Sequence, residues 1–265
     1  MPTIDPTRFT DAILRRPARS AVNGLRAVDI GAPDIDAMMG EHLAYEAALG
    51  ELGVQTHVLP ALEDFPDSVY VEDPALVFAE GAILLRPGAP SRFGETAEIA
   101  PVLRERFDTV IALDKGFSDG GDILLTADKV IIGLSARTDE EGALALAGAL
   151  SKLGYDSATV SPPEGVLHFK TACSLVAPDT VLATRQLIEG GDYFGGLRVL
   201  QVPDGEEPAA NALCVNGTVL LAQGFQNTAK MLRDEGFAVR ELPLNETMKL
   251  DAGLSCMSLR WNRVA

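Results

Sequence analysis

Three features of the sequence point to an α/β architecture in which five strand–strand–helix–strand units close into a ring. Short apolar runs with strand character alternate with amphipathic helical stretches, so the chain mixes both periods throughout. The order strand, strand, helix, strand recurs roughly every 45 residues, which is the signature of a repeat. A polar residue stands near the first strand of each unit, at Asp67, Asp119, His168, Asn211 and Cys256. An open sheet would account for the alternation alone. The regular polar anchors favour a ring, which would gather all five at its centre. WD-type propeller blades have a similar length but carry no helix in each unit.

The N-terminal elements would complete the last unit. Residues 10–14 and 19–22 read as short strands around Arg15-Arg16-Pro17. A loop opens at Gly24-Leu25 and runs to about Pro33. Asp34 can cap an amphipathic helix over 35–49, Gly53 ends it, and a strand over 54–59 follows. Residues 67–73, Asp-Ser-Val-Tyr-Val-Glu-Asp, alternate like an unusually acidic strand. Strands over 75–78 and 82–86, a Pro87-Gly88 turn, a polar-faced helix over 94–106 and a strand over 109–113 make the first full unit.

The second unit starts at Asp119-Gly120-Gly121-Asp122. It has strands over 123–126 and 130–134, a helix over 140–153 ended by Gly154, and a strand over 157–161. The third starts at His168, with strands over 169–177 and 181–184, a short irregular helix and a strand over 198–203. The fourth has strands over 212–215 and 219–222 joined by Asn216-Gly217, a strong hairpin signal. A helix over 227–235 and a strand over 238–243 complete it. Residues 249–260 open the fifth unit, with Cys256 after a glycine-containing turn among residues that alternate like a strand. The whole chain, 1–265, is thus expected to form a single catalytic domain.

Composition excludes several classes of function. A formal net charge of −16 argues against nucleic acid, whose phosphates call for lysine and arginine patches, and favours approach of a cationic small-molecule substrate. Met1 to Arg8 hold no apolar leader-like run, and no apolar stretch is long enough to span a membrane. The three cysteines, Cys173, Cys214 and Cys256, form no C-x-x-C pair and suit a reducing compartment. The expectation is a cytoplasmic protein with no metal, no cofactor and no membrane partner; a homodimer is compatible with the sequence.

Several residues could carry chemistry. Cys256 reads either as a nucleophile or as a small buried hydrophobe. Asp67, Glu72 and Asp73 are either a solvated acidic loop or a nest for a cation, because three carboxylates are costly to bury unpaired. On a strand, Asp67 and Asp73 share one face and Glu72 points the other way. Arg92 and Arg137 sit in loops, where an arginine can fork onto a substrate carboxylate or pair locally. Of the three histidines, His42 lies in a helix and His57 in an apolar strand. His168 opens a unit and could deliver a proton, with Asp119 holding its tautomer.

The chain resembles the dimethylarginine dimethylaminohydrolases, within the guanidine-modifying superfamily that folds as a five-bladed α/β propeller, the pentein fold. The resemblance runs from about Arg16 to Arg260. It is carried by Arg-Pro-Ala-Arg-Ser at 16–20, Pro-Asp-Ser-Val-Tyr-Val-Glu-Asp at 66–73 and Arg-Pro-Gly-Ala-Pro-Ser-Arg at 86–92. Asp-Gly-Gly-Asp at 119–122, Gly-Leu-Ser-Ala-Arg-Thr at 133–138 and Leu-His-Phe-Lys at 167–170 continue it. Ala-Ala-Asn at 209–211 and Ser-Cys-Met-Ser-Leu-Arg at 255–260 complete it. In combination these motifs are highly specific.

The resemblance implies that Cys256 is the nucleophile, His168 the general acid and then base, and Asp119 the carboxylate beside it. Some family members have Glu at that place. It implies that Glu72 and Asp73 face the substrate guanidinium, that Asp67 binds its α-amino group, and that Arg92 and Arg137 clamp its α-carboxylate. Leu25 would lie in a mobile loop over the site. The implied reaction converts Nω-methylated arginine to citrulline and an alkylamine through a covalent S-alkylthiouronium. Arginine deiminases usually carry an acidic residue two after the histidine and a helical insertion; here Lys170 stands there and no such insertion is seen. Ala252 replaces a glycine often found before the nucleophile. The alternatives are a deiminase-like hydrolase releasing ammonia, and an inactive guanidino-compound binder.

Overall fold

Asp34 accepts hydrogen bonds from the backbone N–H groups of Asp36 and Ala37, so the first helix begins where its cap was expected. In this computed structural model, residues 5–263 are described; residues 1–4 and 264–265, the ends of the expected 1–265 domain, lie outside the described residues. The elements run β1 (Asp11–Arg15), α1 (Ile35–Glu51), β2 (Gln55–Leu59), β3 (Ala75–Val77), β4 (Ala82–Leu84), α2 (Glu95–Arg106) and β5 (Val110–Ala112). Then come β6 (Ile123–Leu125), β7 (Val130–Gly133), α3 (Glu140–Lys152), β8 (Ser157–Val160), β9 (Cys173–Ala177), β10 (Thr180–Ala183), α4 (Arg185–Gly190) and β11 (Arg198–Gln201). The last are β12 (Leu213–Val215), β13 (Thr218–Ala222), α5 (Gln226–Asp234), β14 (Ala238–Leu242), α6 (Asn245–Met248) and β15 (Leu259–Trp261).

The strands form five three-stranded sheets, in the orders β3-β4-β5, β6-β7-β8, β9-β10-β11, β12-β13-β14 and β15-β1-β2. In each, an antiparallel pair is followed by a parallel strand reached through a helix, the connection a parallel pair requires. The fifth sheet joins the two ends of the chain, with Asp11 opposite Trp261. Each apolar cluster is shared by two neighbouring blades. Leu14 and Met38 meet Leu213 and Leu220, for example, and Ile13 and Trp261 meet Val71 and Ile99. The other three clusters join the remaining neighbours, so burial runs around the whole ring. This is the five-bladed α/β propeller expected.

Four local expectations are corrected. Residues 19–22 form a 3₁₀ turn, Arg19–Asn23, because the N–H groups of Arg19 and Ser20 are taken by the Glu63 carboxylate, each at 3.0 Å, and not by a strand partner. Residues 67–73 are consecutive turns. Ser68 and Tyr70 bond back three residues, to Phe65 and Asp67, and Glu72 N–H reaches across to the Cys256 carbonyl at 3.2 Å. The run from 169 begins with a 3₁₀ turn, Phe169–Thr171, before β9. Cys256 likewise sits in a 3₁₀ turn, Ser255–Met257, and β15 starts only at Leu259.

Candidate active site

Each polar anchor sits in the turn just before the innermost strand of a blade, and the ring brings these turns to one end of its axis. Here they enclose a cleft of about 160 Å³. Leu25, Asp67, Asp73, Arg92, Arg137, His168 and Cys256 line it; Asp119 lies directly behind His168. Among the residues expected from the sequence, the cleft thus unites a sulfur, an imidazole, two carboxylates and two guanidinium groups from five separate segments of chain.

The glycine pair of Asp-Gly-Gly-Asp permits this convergence. A Cβ on Gly120 would stand 1.9 Å from the Glu72 carbonyl oxygen, and one on Gly121 would stand 2.7 Å from His168 Nδ1. Gly120 N–H bonds to the Asp73 carbonyl and Gly121 N–H to its carboxylate, at 3.2 and 2.9 Å. Asp122 then fastens two neighbouring turns. Its carboxylate accepts from Ser135 and Thr138 hydroxyls and from Phe169 N–H at 2.6–2.9 Å.

His168 Nε2 lies 3.1 Å from Asp119 Oδ2, whose other oxygen accepts from Gly88 N–H at 2.7 Å. Burial alone would lower the His168 pKa. The hydrogen bond to Asp119 and the charges of Asp73 and Asp122 reverse this and raise it to about 9. Because the folded value exceeds the ordinary 6.5, the stabilisation is full below about pH 6.5 and is lost as pH rises through about 9. Urea unfolding should therefore show wild type ahead of a His168→Asn variant at pH 6 by on the order of 2 kcal/mol. That margin should shrink toward pH 10, and a constant margin would refute the raised pKa.

Asp73 is buried against Arg92. Burial opposes its charge, yet the Arg92 guanidinium and His168 hold it below the usual carboxylate range. Arg92 also forks onto Glu95, at 2.9 and 2.6 Å, and donates to the carbonyls of Tyr70 and Asp67. These contacts leave one Nη1 N–H for a ligand. Arg137 is different: it lines the cleft with no carboxylate partner among the described residues. Asp67 accepts from Leu25 N–H at 3.0 Å, and burial pushes its carboxyl up against the pull of Arg92.

Glu72 and Asp73 diverge. The Glu72 carboxylate points away from the cleft and is held by Lys170 Nζ at 2.5 Å, Arg260 Nη2 at 3.3 Å and Ser255 Oγ at 3.2 Å. Cys256 Sγ accepts from Gly253 N–H at 3.5 Å. Burial, with Glu72 and Asp73 nearby, pushes its thiol up to about 11.

Asp73, Asp119 and His168 place ligand atoms within 4.8 Å of one another, as a metal site would. Their oxygens already accept from Arg92, Gly121 and Gly88. Tyr70, Arg26, Leu167, Leu250, Asp251 and Ala252 also line the cleft and carried no assignment from the sequence. Asp251 adopts a left-handed backbone, φ +54°, and its carboxylate accepts from Ala27 N–H, clasping the Leu25 loop onto the Cys256 turn. No helix among the described residues is long and apolar enough to cross a membrane.

A sequence model of the family described as arginine deiminase matches residues 37–205. The chain is 37% identical to the N(G),N(G)-dimethylarginine dimethylaminohydrolase of Pseudomonas aeruginosa, over 96% of this chain and 100% of that one. It is 33% identical to the protein of the same name from Streptomyces coelicolor, over 94% and 96% of the two chains. Among solved structures, a cysteine-to-serine mutant of the Pseudomonas aeruginosa protein complexed with citrulline matches with a TM-score of 0.91. That match is 37% identical and covers 96% of this chain and 99% of the other.

Proposed function

This chain belongs to the dimethylarginine dimethylaminohydrolase family, and we propose that it hydrolyses asymmetric dimethylarginine and monomethylarginine to citrulline and dimethylamine or methylamine. The observation that carries this reading is the shared cleft of Cys256, His168 and Asp73. The substrate guanidinium lies against Asp73, and Arg137, with the remaining Nη1 N–H of Arg92, takes the α-carboxylate. Asp67 takes the α-amino group, whose positive charge offsets the burial that raises this carboxyl. Glu72 acts at one remove, its charge lying behind the nucleophile. Leu25 closes the entrance.

The guanidinium cation itself supplies electrophilic charge, and it favours the thiolate of Cys256. Sulfur attacks the guanidinium carbon to give a tetrahedral adduct. His168, whose raised pKa keeps it protonated at neutral pH, gives its proton to the departing amine. The covalent S-alkylthiouronium that remains is attacked by water, which His168 now deprotonates, and citrulline leaves. Asp119 holds the imidazole through both halves. We read 1–265 as one catalytic domain, because β1 and β15 close one ring, and a reducing cytoplasm suits a reaction run by a free thiol.

Incubation with asymmetric dimethylarginine, monomethylarginine and arginine, with identification of the released amine, tests the reading. Citrulline with dimethylamine or methylamine is expected. Turnover of arginine alone, with ammonia, would make it a deiminase; a ligand-induced thermal shift without citrulline would make it a binder. The thiolate ultraviolet absorbance of the free protein should appear only near pH 11. A bound guanidino compound that is not turned over should lower that midpoint by about one unit or more, the direction a nearby cation imposes. An unchanged midpoint would disprove activation by the substrate's charge.

A further inference from the structure

Asn211 has a place in the repeat but no part in the chemistry above. It ends the 3₁₀ turn Glu207–Ala210 ahead of β12, as the fourth-blade counterpart of Asp119, His168 and Cys256. Its side chain is buried, and both its ends are spent on the nucleophile turn. Oδ1 accepts from Ser255 N–H at 3.2 Å, and Nδ2 donates to Cys256 Sγ at 3.7 Å. The first bond fixes the second: a backbone N–H can only donate, so the amide oxygen faces it and the NH₂ faces sulfur.

Gly253 N–H is a second donor to the same sulfur. Its position has no room for a side chain, because a Cβ would stand 2.2 Å from Asn211 Cγ. The nucleophile turn is therefore wrapped around the amide. Around the sulfur, Glu72 and Asp73 oppose ionisation and Lys170 favours it, with Tyr70 also near and His168 and Arg137 lining the same cleft. In such a site, two fixed N–H groups aimed at sulfur supply what a forming thiolate needs.

We propose that Asn211 is a catalytic residue of this chain: its side-chain amide, with Gly253 N–H, stabilises Cys256 sulfur as a thiolate, while Oδ1 fixes the turn that presents it. The inference rests on Cys256 being the nucleophile. It acts at two points. Before attack the S–H bond has broken, its proton passing to solvent, and the amide meets the charge left on sulfur. In the second half the C–S bond breaks, its electron pair returns to sulfur as citrulline forms, and the same donors receive it.

Asn211→Asp tests this, because its carboxylate keeps the acceptor for Ser255 N–H and replaces the donor at sulfur. Alkylation by iodoacetamide at pH 9, corrected with Cys256→Ser, should slow at least about tenfold relative to wild type. Citrulline formation should show kcat lower by a factor on the order of 10² with KM within about threefold. Asn211→Ala should slow alkylation in the same direction. Alkylation within twofold of wild type in whichever variant folds would overturn the proposal even if kcat fell, since Asn211 would then only shape the turn. In the unmodified protein, the Asn211 side-chain amide resonance should move when Cys256 is alkylated, while that of Asn216 stays; no movement would overturn it too. The alkylation and resonance readouts need no substrate, so they remain decisive if the chain proves not to release an alkylamine.

Discussion

Replacing Cys256 by serine is expected to lower citrulline formation by a factor on the order of 10⁴ or more, with methylarginine still raising the melting temperature. The site explains the size of the effect. Burial and two nearby carboxylates already push the thiol up to about 11, and a hydroxyl ionises far less readily than a thiol in the same place. On the proposed mechanism, the substrate cation that activates sulfur cannot close that gap for oxygen. Binding should survive, because on the proposed reading Asp73, Asp67 and Arg137 hold the substrate and the substitution leaves all three in the cleft. Steady-state assays together with a thermal-shift titration decide the matter; near-normal citrulline release by the serine variant would remove Cys256 from the chemistry.

Arg92→Ala and Arg137→Ala should fail in different ways. Arg92 is the only cation within hydrogen-bonding distance of both Asp73 and Glu95 among the described residues, and all three are buried. Its removal strands two carboxylates, so urea unfolding should show a loss of about 3–5 kcal/mol along with lost activity. Arg137 has no such partners. Its loss should leave stability nearly unchanged and raise KM about tenfold or more, as the loss of a carboxylate fork would. Equal stability losses in the two variants would show that Arg137 too is structural.

These two arginines also mark how far the sequence could be read. Both stood in loops near helix starts and looked alike. The Glu three residues after Arg92 is a local signal that could have marked its pair, whereas the Asp73 partner depends on packing between segments. The ring was legible because its signals are local: the Asp34 cap, the stops at Gly53 and Gly154, and Asn216-Gly217, where both residues take the positive φ of a tight hairpin. Residues 67–73 misled because alternation implies a strand only when one face is wet. Here Val69, Tyr70 and Val71 are all buried and the backbone satisfies itself in turns. The parity argument nonetheless separated Glu72 from Asp73. The partners of Glu72, the clasp between Ala27 and Asp251, and the amide of Asn211 on sulfur join distant segments that no local pattern connects.

The seam between β1 and β15 has a bearing on synthesis. β1 keeps one edge open until β15 has left the ribosome, and among the described residues β15 is the strand furthest from it along the chain. The sulfur travels in the stretch just ahead of that partner. A nascent chain can thus fold its middle blades early and still lack the sulfur of the cleft. Ring closure and assembly of the Cys256 cleft arrive in the same event, and a chain interrupted before it would carry Asp67 and Asp73 without the sulfur of that cleft.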